Sequence, residues 1–185
     1  MKVGIYGGSF NPIHNGHIKL AEIFFKELEL DEVWFMVSPQ NPFKINNKLL
    51  NDTLRFQLVE KALKNKKYMI ACNYEFSLPK PSYTWNTLQQ LSSDFPANKF
   101  ILLIGGDNWL AFNKWYHAND ILENYSIAVY PRTCSESTEN CNLFSTKNVT
   151  LLNIPLINIS STDIRQRIKK GETIKGLVPE CIEND

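Results

Sequence analysis

The sequence lacks three patterns that would place a protein in or across a membrane. No stretch of about 18 consecutive apolar residues occurs along the chain, so we predict no transmembrane helix and no membrane partner. The first residues also lack the pattern of a secretory signal peptide. Its four cysteines include no C-x-x-C pair, which favours reduced thiols; they are Cys72, Cys134, Cys141 and Cys181. Together these absences predict a cytoplasmic protein.

An excess of either charge is also missing. Lysine and arginine number 20 against 19 acidic residues, a net charge of +1, so no basic face for nucleic acid is indicated. We therefore predict no nucleic-acid partner. The 185 residues are 43% hydrophobic, which is enough for a buried core and fits a single domain over residues 1–185. No pattern indicates an oligomeric state.

Apolar segments of strand length alternate with segments of helical periodicity. This alternation predicts an α/β fold with a Rossmann-like, doubly wound, mostly parallel sheet, helices on both faces and a small helical C-terminal part. An order of 3-2-1-4-5 would place the loops after strands one and four side by side, where such sheets bind ligands. Strands are predicted at 1–6, 33–37, 68–72, 100–104, 126–130 and 149–154, with helices at 16–29, 51–64, 82–93, 109–116, 120–123, 160–171 and 179–182. Residues 131–148 are polar and predict a surface loop.

The first candidate site begins directly after the first strand. Gly7 and Gly8 are predicted to turn the backbone tightly, and His14 and His17 follow at the start of a helix. A strand, a glycine-rich turn and a helix N-terminus together form a phosphate site, to which two imidazoles could add donors. Surface histidines, or a zinc site with further ligands, are the alternatives.

A second candidate site opens the last long helix. Hydroxyls at 160–162 precede Arg165 by one turn, an arrangement that can bind an oxyanion. An ordinary N-cap with a solvated arginine is the alternative. Lys44, on the loop after the second strand, could close over phosphates or could be a solvated surface lysine. Among the aromatic residues, Trp109 is predicted in the core and Trp115 as a stacking surface for a flat ring.

Groups that act as nucleophile or general base are not evident. The chain has no Ser-His-Asp order, no paired carboxylates at useful spacing and no Walker lysine motif. This suits attack by a phosphate monoester on the α-phosphate of a nucleoside triphosphate, because a monoester with a second pKa of about 6 is already anionic. Such a reaction needs alignment and charge neutralisation, which imidazoles, lysine, arginine, a helix N-terminus and Mg²⁺ supply.

The two motifs, residues 7–17 and 159–165, resemble those of the H-x-G-H nucleotidyltransferase superfamily. Three further stretches, at 81–88, 105–108 and 115–122, look like the nicotinate-nucleotide adenylyltransferase family within it. The resemblance spans nearly the whole chain, and its matches come in the expected order. It implies adenylyl transfer from ATP to nicotinate mononucleotide in NAD biosynthesis, giving deamido-NAD and pyrophosphate. Mg²⁺ would assist, held mainly by the ATP phosphates rather than by a protein metal site.

The resemblance also implies roles by position. The catalytic residues would be His14, His17, Lys44 and Arg165. The ATP site would comprise Gly7, Gly8, Ser9, Phe10, His14, His17, Ser161, Thr162 and Arg165. The nicotinate-nucleotide site would comprise Tyr83, Thr84, Asp107, Trp115 and Tyr116, with Trp115 against the pyridine ring. In the family, backbone N–H groups largely receive the pyridine carboxylate.

Two positions depart from the family pattern. Asn11 stands where the family usually has aspartate, and Phe43 stands where it commonly has histidine. The alternatives within the superfamily are an adenylyltransferase that accepts nicotinamide mononucleotide or pantetheine phosphate, or a cytidylyltransferase. An alternative of another class is a non-catalytic nucleotide-binding module that kept the fold.

Overall fold

Six parallel strands form one sheet in the order β3-β2-β1-β4-β5-β6. The computed structural model describes residues 1–40, 42, 49–130, 147–152 and 157–185. The predicted order of the first five strands is confirmed, and the sixth adds to the edge beside β5. The strands are β1 (Lys2–Gly8), β2 (Glu32–Val37), β3 (Met69–Cys72), β4 (Lys99–Gly105), β5 (Ser126–Tyr130) and β6 (Val149–Leu151).

Helices cover both faces of this sheet, which confirms the doubly wound architecture. They are α1 (Asn15–Glu27), α2 (Asp52–Leu63), α3 (Thr84–Asp94), α4 (Gly106–Leu110), α5 (Ala118–Asn124) and α6 (Ser161–Lys170). Single 3₁₀ turns occupy Tyr74–Ser77, Phe112–Lys114 and Glu180–Ile182. Within the described ranges, no helix has both the length and the apolar character needed to cross a membrane.

Each face of the sheet has its own core because neighbouring side chains along a strand point to opposite faces. On β4, Leu103 belongs to the core that contains Phe24 of α1, whereas Leu102 belongs to the core that contains Leu88 of α3. The first core also includes α2 and α6, and the second includes α4 and α5. The order of the strands reverses between β1 and β4, so the ligand-binding edge lies where these two strands end.

The turn after β1 does not fall on the glycine pair, so that prediction is wrong. β1 continues through both glycines, since Gly7 pairs with Met36 and Gly8 with Val37 of β2. The unusual backbone is at Phe10, which has a φ of 43° although it is not glycine. Such a conformation costs of the order of 1–3 kcal/mol. Burial of the Phe10 side chain, which is 2% exposed, offsets that cost.

The cysteines in the described ranges are free thiols, namely Cys72 and Cys181. Burial raises the pKa of the Cys72 thiol, because desolvation disfavours the thiolate. Cys134 and Cys141 lie outside the described residues, as does most of the predicted loop at 131–148 and the end of the predicted sixth strand.

Close packing at β1 generates a stability prediction. A Cβ at Gly4 would lie 2.7 Å from the Cδ1 atoms of both Leu30 and Leu103. We expect Gly4→Ala to lower the free energy of unfolding by about 1–3 kcal/mol, because the buried leucines must shift. Gly7→Ala on the same strand is the matched control, since nothing lies within 4 Å of its Cβ position. The free energy of unfolding of both variants is measured by urea denaturation. If both substitutions lowered it equally, the close contact at Gly4 would not be the cause of the loss.

Candidate active site

Two adjoining cavities open at the carboxyl ends of β1 and β4. The first, which we call the aromatic cavity, has a volume of about 460 Å³ and is lined by Tyr83, Trp115 and Tyr116 among others. The second, which we call the histidine cavity, has a volume of about 380 Å³ and contains both predicted histidines. Gly7, Gly8 and Asn108 line both cavities, so they form the boundary between them.

The two histidines cap the first helix with their side chains. His14 is the N-cap of α1, and its Nδ1 accepts a hydrogen bond from the His17 backbone N–H at 3.2 Å. His17 reciprocates, because its Nδ1 accepts from the His14 backbone N–H at 3.2 Å. A backbone N–H can only donate, so both Nδ1 atoms lack a proton and each neutral ring carries its proton on Nε2. The capping geometry therefore fixes the tautomer as well as the position of both rings.

The glycine of the H-x-G-H motif, Gly16, leaves space for the ring of His14. The His14 and His17 rings stack with their centroids 3.6 Å apart and an interplanar angle of 20°. A Cβ at Gly16 would lie 3.0 Å from His14 Nδ1 and 3.1 Å from its Cε1, so the stacked ring would have to shift by a few tenths of an ångström. The Phe10 ring packs edge-on against His17 at 5.1 Å, so the strained turn after β1 also positions this ring.

The second motif reaches the same cavity through the N-terminus of α6. Ser160 is the N-cap, and its Oγ accepts from the Asp163 N–H at 3.1 Å. Ser161 donates its hydroxyl hydrogen to the Pro12 carbonyl at 3.0 Å, which ties the start of α6 to the loop after β1. Its hydroxyl therefore serves the fold in this arrangement. The first N–H groups of a helix have no partner within the helix, so the termini of α1 and α6 give the histidine cavity two positive dipole ends.

Arg165 lies at the edge of the histidine cavity rather than on a solvated face. Its Nη1 donates to the Asn11 carbonyl at 2.7 Å, and its Nη2 donates to Thr162 Oγ1 at 3.2 Å. These two bonds fix the plane of the guanidinium one turn into α6. The ordinary N-cap interpretation holds for Ser160, whereas Arg165 is held towards the cavity.

The aromatic cavity combines a ring-lined wall with an apolar floor. Tyr83 and Tyr116 face each other with their centroids 4.8 Å apart, and Trp115 packs on Phe112 at 5.2 Å. Trp109 is 6% exposed and belongs to the core, as predicted. The floor is made by side chains of the sheet and α3, which are Ile5, Met36, Leu88, Leu102 and Ile104. Such a cavity suits a flat ring with polar substituents.

Two polar side chains that line this cavity, Ser82 and Glu75, were not predicted from the sequence. The Ser82 Oγ is buried and has no hydrogen-bond partner among the described residues. An unpaired buried hydroxyl costs about 1–3 kcal/mol. The buried carboxylate of Glu75 lines the same cavity. Neither residue has a sequence signal, because each looks like an ordinary loop residue until the chain folds.

Most of the predicted site residues come together in one of the two cavities. Asp107 lines the histidine cavity rather than the aromatic one, although its neighbour Asn108 lines both. Lys44 lies outside the described residues, and so does Phe43, one of the two positions that differ from the family pattern. The aromatic cavity contains Tyr83, Thr84, Trp115 and Tyr116, and the histidine cavity contains Gly7, Gly8, Ser9, Phe10, His14, His17, Ser161, Thr162 and Arg165.

The other departure from the family pattern, Asn11, faces away from the histidine cavity. Its side chain is 3% exposed, and Oδ1 accepts from the Leu50 backbone N–H at 3.1 Å. Asn11 thereby joins the loop after β1 to the segment before α2. A carboxylate oxygen could accept the same bond, so the substitution removes a charge without removing this contact.

A further organising residue, Arg55 of α2, was also missed. Its side chain is fully buried, which is rare for arginine, and it makes five hydrogen bonds. Four of its acceptors are backbone carbonyls of the loops after β1 and β2 and of the segment before α2. The acceptors are the carbonyls of Ser9, Ser38, Pro39 and Leu50 and the carboxylate of Asp52. A helical arginine gives no sequence signal of such a role.

Metal ligands are sparse in the described ranges, where no group of three His, Cys, Asp or Glu side chains converges. The zinc alternative for His14 and His17 therefore has no ligand set among these residues. Asp107 is the one acidic residue that lines the histidine cavity within the part of the chain that the structure describes.

This chain has a parallel, doubly wound sheet. At the switch point of the sheet, one helix begins with the H-x-G-H motif and another carries an arginine in its first turns. This combination defines the nucleotidyltransferase class. The cytidylyltransferase-like family model matches residues 5–167. The probable nicotinate-nucleotide adenylyltransferase of Cytophaga hutchinsonii is 45% identical over 99% of this chain and 94% of its own. Its namesake in Bacteroides thetaiotaomicron is 42% identical over 95% of this chain and 85% of its own. The chain belongs to the nicotinate-nucleotide adenylyltransferase family.

Solved structures share the fold at lower identity. Plasmodium falciparum nicotinic acid mononucleotide adenylyltransferase complexed with NaAD superposes with a TM-score of 0.79 at 19% identity, covering 94% of this chain and 86% of that one. The same enzyme complexed with APC also gives a TM-score of 0.79 at 19% identity, covering 97% and 90% of the two chains. At this identity the likeness concerns the fold alone.

The contacts of Arg55 generate a second stability prediction. We expect Arg55→Ala to lower the free energy of unfolding by about 3–5 kcal/mol, because it leaves several carbonyls of two loops unpaired. Arg55→Lys should lose less, since it keeps the charge beside Asp52 but not the planar fork. Arg167→Ala is the control, because its exposed ion pair with Asp163 should contribute little to stability. Equal losses from Arg55→Ala and Arg167→Ala in urea denaturation would refute the role of Arg55.

Proposed function

We propose that this protein transfers the adenylyl group of ATP to nicotinate mononucleotide, producing deamido-NAD and pyrophosphate in NAD biosynthesis. The observation that carries the proposal is the pair of adjoining cavities, one built for anions and one for a flat ring. Their shared boundary is largely the glycine main chain at Gly7 and Gly8. Two substrates seated on either side of such a boundary can bring their phosphates into contact.

The proposed reaction is a displacement at the α-phosphorus of ATP. An oxygen of the mononucleotide 5′-phosphate forms the new P–O bond, and the bond from the α-phosphorus to the bridging oxygen breaks. The electron pair leaves with pyrophosphate. The attacking phosphate is already anionic at neutral pH, so no proton needs to be removed from it. This agrees with cavities in which no residue is arranged as a nucleophile activated by a base, within the described part of the chain.

Charge on the departing pyrophosphate would be met by donors around the histidine cavity. In this proposal the Nε2–H groups of His14 and His17, on the side of each ring opposite the capping Nδ1, turn to the pyrophosphate when it binds. Arg165 adds a fixed positive charge, and the N-termini of α1 and α6 add backbone N–H groups. Thr162 acts through Arg165, which it helps to hold in place. Lys44 is proposed to assist the phosphates from the loop after β2.

Mg²⁺ is proposed to bind mainly to the ATP phosphates. Asp107 supplies a carboxylate in the histidine cavity, and this fits the preference of Mg²⁺ for phosphates plus one or two carboxylates. When bound, the ion neutralises phosphate charge. We further propose that the protein acts as a single domain in the cytoplasm on small molecules and without nucleic acid.

The activity itself is directly testable. Purified protein with ATP, Mg²⁺ and nicotinate mononucleotide should release pyrophosphate and form deamido-NAD, and removal of Mg²⁺ by EDTA should abolish turnover. Nicotinamide mononucleotide and phosphopantetheine serve as comparison acceptors. Comparable kcat/KM with phosphopantetheine, or ATP binding without turnover on any acceptor, would refute the proposal.

Two substitutions at His17 can separate its proposed contact with phosphate from its part in capping α1. In His17→Asn, the amide oxygen takes the place of Nδ1 and keeps the bond from the His14 N–H, but nothing replaces Nε2. We expect turnover to fall by a factor of about 10²–10³, with an unfolding free energy close to that of the parent. His17→Ala should lose similar turnover and also about 1 kcal/mol of stability, because the half of the capping box that His17 supplies is lost while the N-cap bond of His14 remains. Near-normal turnover in His17→Asn would contradict the phosphate role.

A further inference from the structure

The aromatic cavity contains a buried carboxylate that the proposed reaction does not use. Glu75 follows β3 in the 3₁₀ turn Tyr74–Ser77, and its side chain is 5% exposed. Ser38 donates to its Oε2 at 2.7 Å, and Thr87 donates to its Oε1 at 2.9 Å. Both carboxylate oxygens are thus held in place by hydroxyls that line the same cavity.

Those hydroxyls fix the carboxylate without neutralising its charge. No lysine or arginine of the described residues forms an ion pair with Glu75. The cationic residue that lines the cavity in the described ranges is Lys114, which is exposed. A buried carboxylate without a cationic partner is costly, because its hydration is lost. A cation that enters the cavity would recover part of that cost.

Nearby apolar side chains strengthen the field of this carboxylate. The floor of the cavity is formed by aliphatic and thioether side chains, and the effective dielectric constant there is lower than in water. Trp115 and Tyr116 add the faces of aromatic rings, which also attract cations. A flat cationic ring therefore matches the cavity in shape and in charge, whereas a neutral ring matches it in shape alone.

We propose that Glu75 selects a positively charged pyridinium ring over a neutral ring of the same shape. This inference rests on the proposed function, which places the pyridine nucleotide in the aromatic cavity. The ring nitrogen of a pyridine mononucleotide carries a full positive charge because it is bonded to the ribose. Repulsion between carboxylates further requires the ring to bind with its own carboxylate directed away from Glu75.

The test compares two ligands that differ in ring charge alone. One is nicotinate mononucleotide, and the other is its C-riboside analogue, in which a benzene ring carrying the same carboxylate replaces the pyridinium. Calorimetry should show that the parent protein binds the charged ring about tenfold more tightly. In Glu75→Gln, the Kd of nicotinate mononucleotide should rise about tenfold, while the Kd of the analogue stays within about twofold.

The matched control makes the same Glu→Gln substitution at a carboxylate that lies outside the cavity. Glu32→Gln alters a half-buried carboxylate that accepts from Trp34 Nε1 at the other end of β2, far from the cavity, and should leave both Kd values unchanged. Equal weakening of both ligands by Glu75→Gln would mean that Glu75 only holds Ser38 and Thr87, and it would overturn the proposal. The proposal would also be overturned if the parent protein bound both ligands with equal affinity. That measurement does not depend on whether the Glu75→Gln variant folds. Failure of the proposed function is a separate outcome, seen as absent turnover of nicotinate mononucleotide by the parent.

Discussion

The site depends above all on the buried guanidinium of Arg55. Loops at the carboxyl ends of parallel strands have no ladder to fix them, and their carbonyls need donors. Arg55 supplies donors to the loops after β1 and β2 from one rigid helix. It fixes the backbone at Ser9, which lines the histidine cavity, and at Ser38, whose hydroxyl holds Glu75 in the aromatic cavity. One planar side chain thereby sets the geometry of both cavities.

The histidine pair illustrates why fold and chemistry cannot be separated in this cavity. Each imidazole uses one nitrogen to begin α1 and leaves its proton on the other nitrogen. Helix capping therefore determines which ring nitrogen carries the proton in each histidine. Phe10 packs against the His17 ring, and the absence of a side chain at Gly16 leaves room for the His14 ring, so both residues help to set where the rings lie.

Strand order, the two helix starts and the meeting of the two motifs at one edge of the sheet could be predicted from the sequence, because periodicity and short motifs encode them locally. Four features could not. The turn at Phe10 depends on a long-range gain, the burial of a ring against β2. Arg55 and Glu75 have no local signal, since a charged residue in a helix or loop is usually solvated. Asp107 was assigned to the ring site, yet it lies on the other side of the boundary formed by Gly7 and Gly8.

The contacts of α6 with the loop after β1 join residues about 150 positions apart, since Arg165 donates to Asn11 and Ser161 to Pro12. Asn15 adds bonds to carbonyls at Gly176 and Val178. During synthesis the histidine motif is made about 150 residues before these partners. The contacts that join α6 to the loop after β1 can therefore form only after the ribosome has synthesised the chain through Arg165.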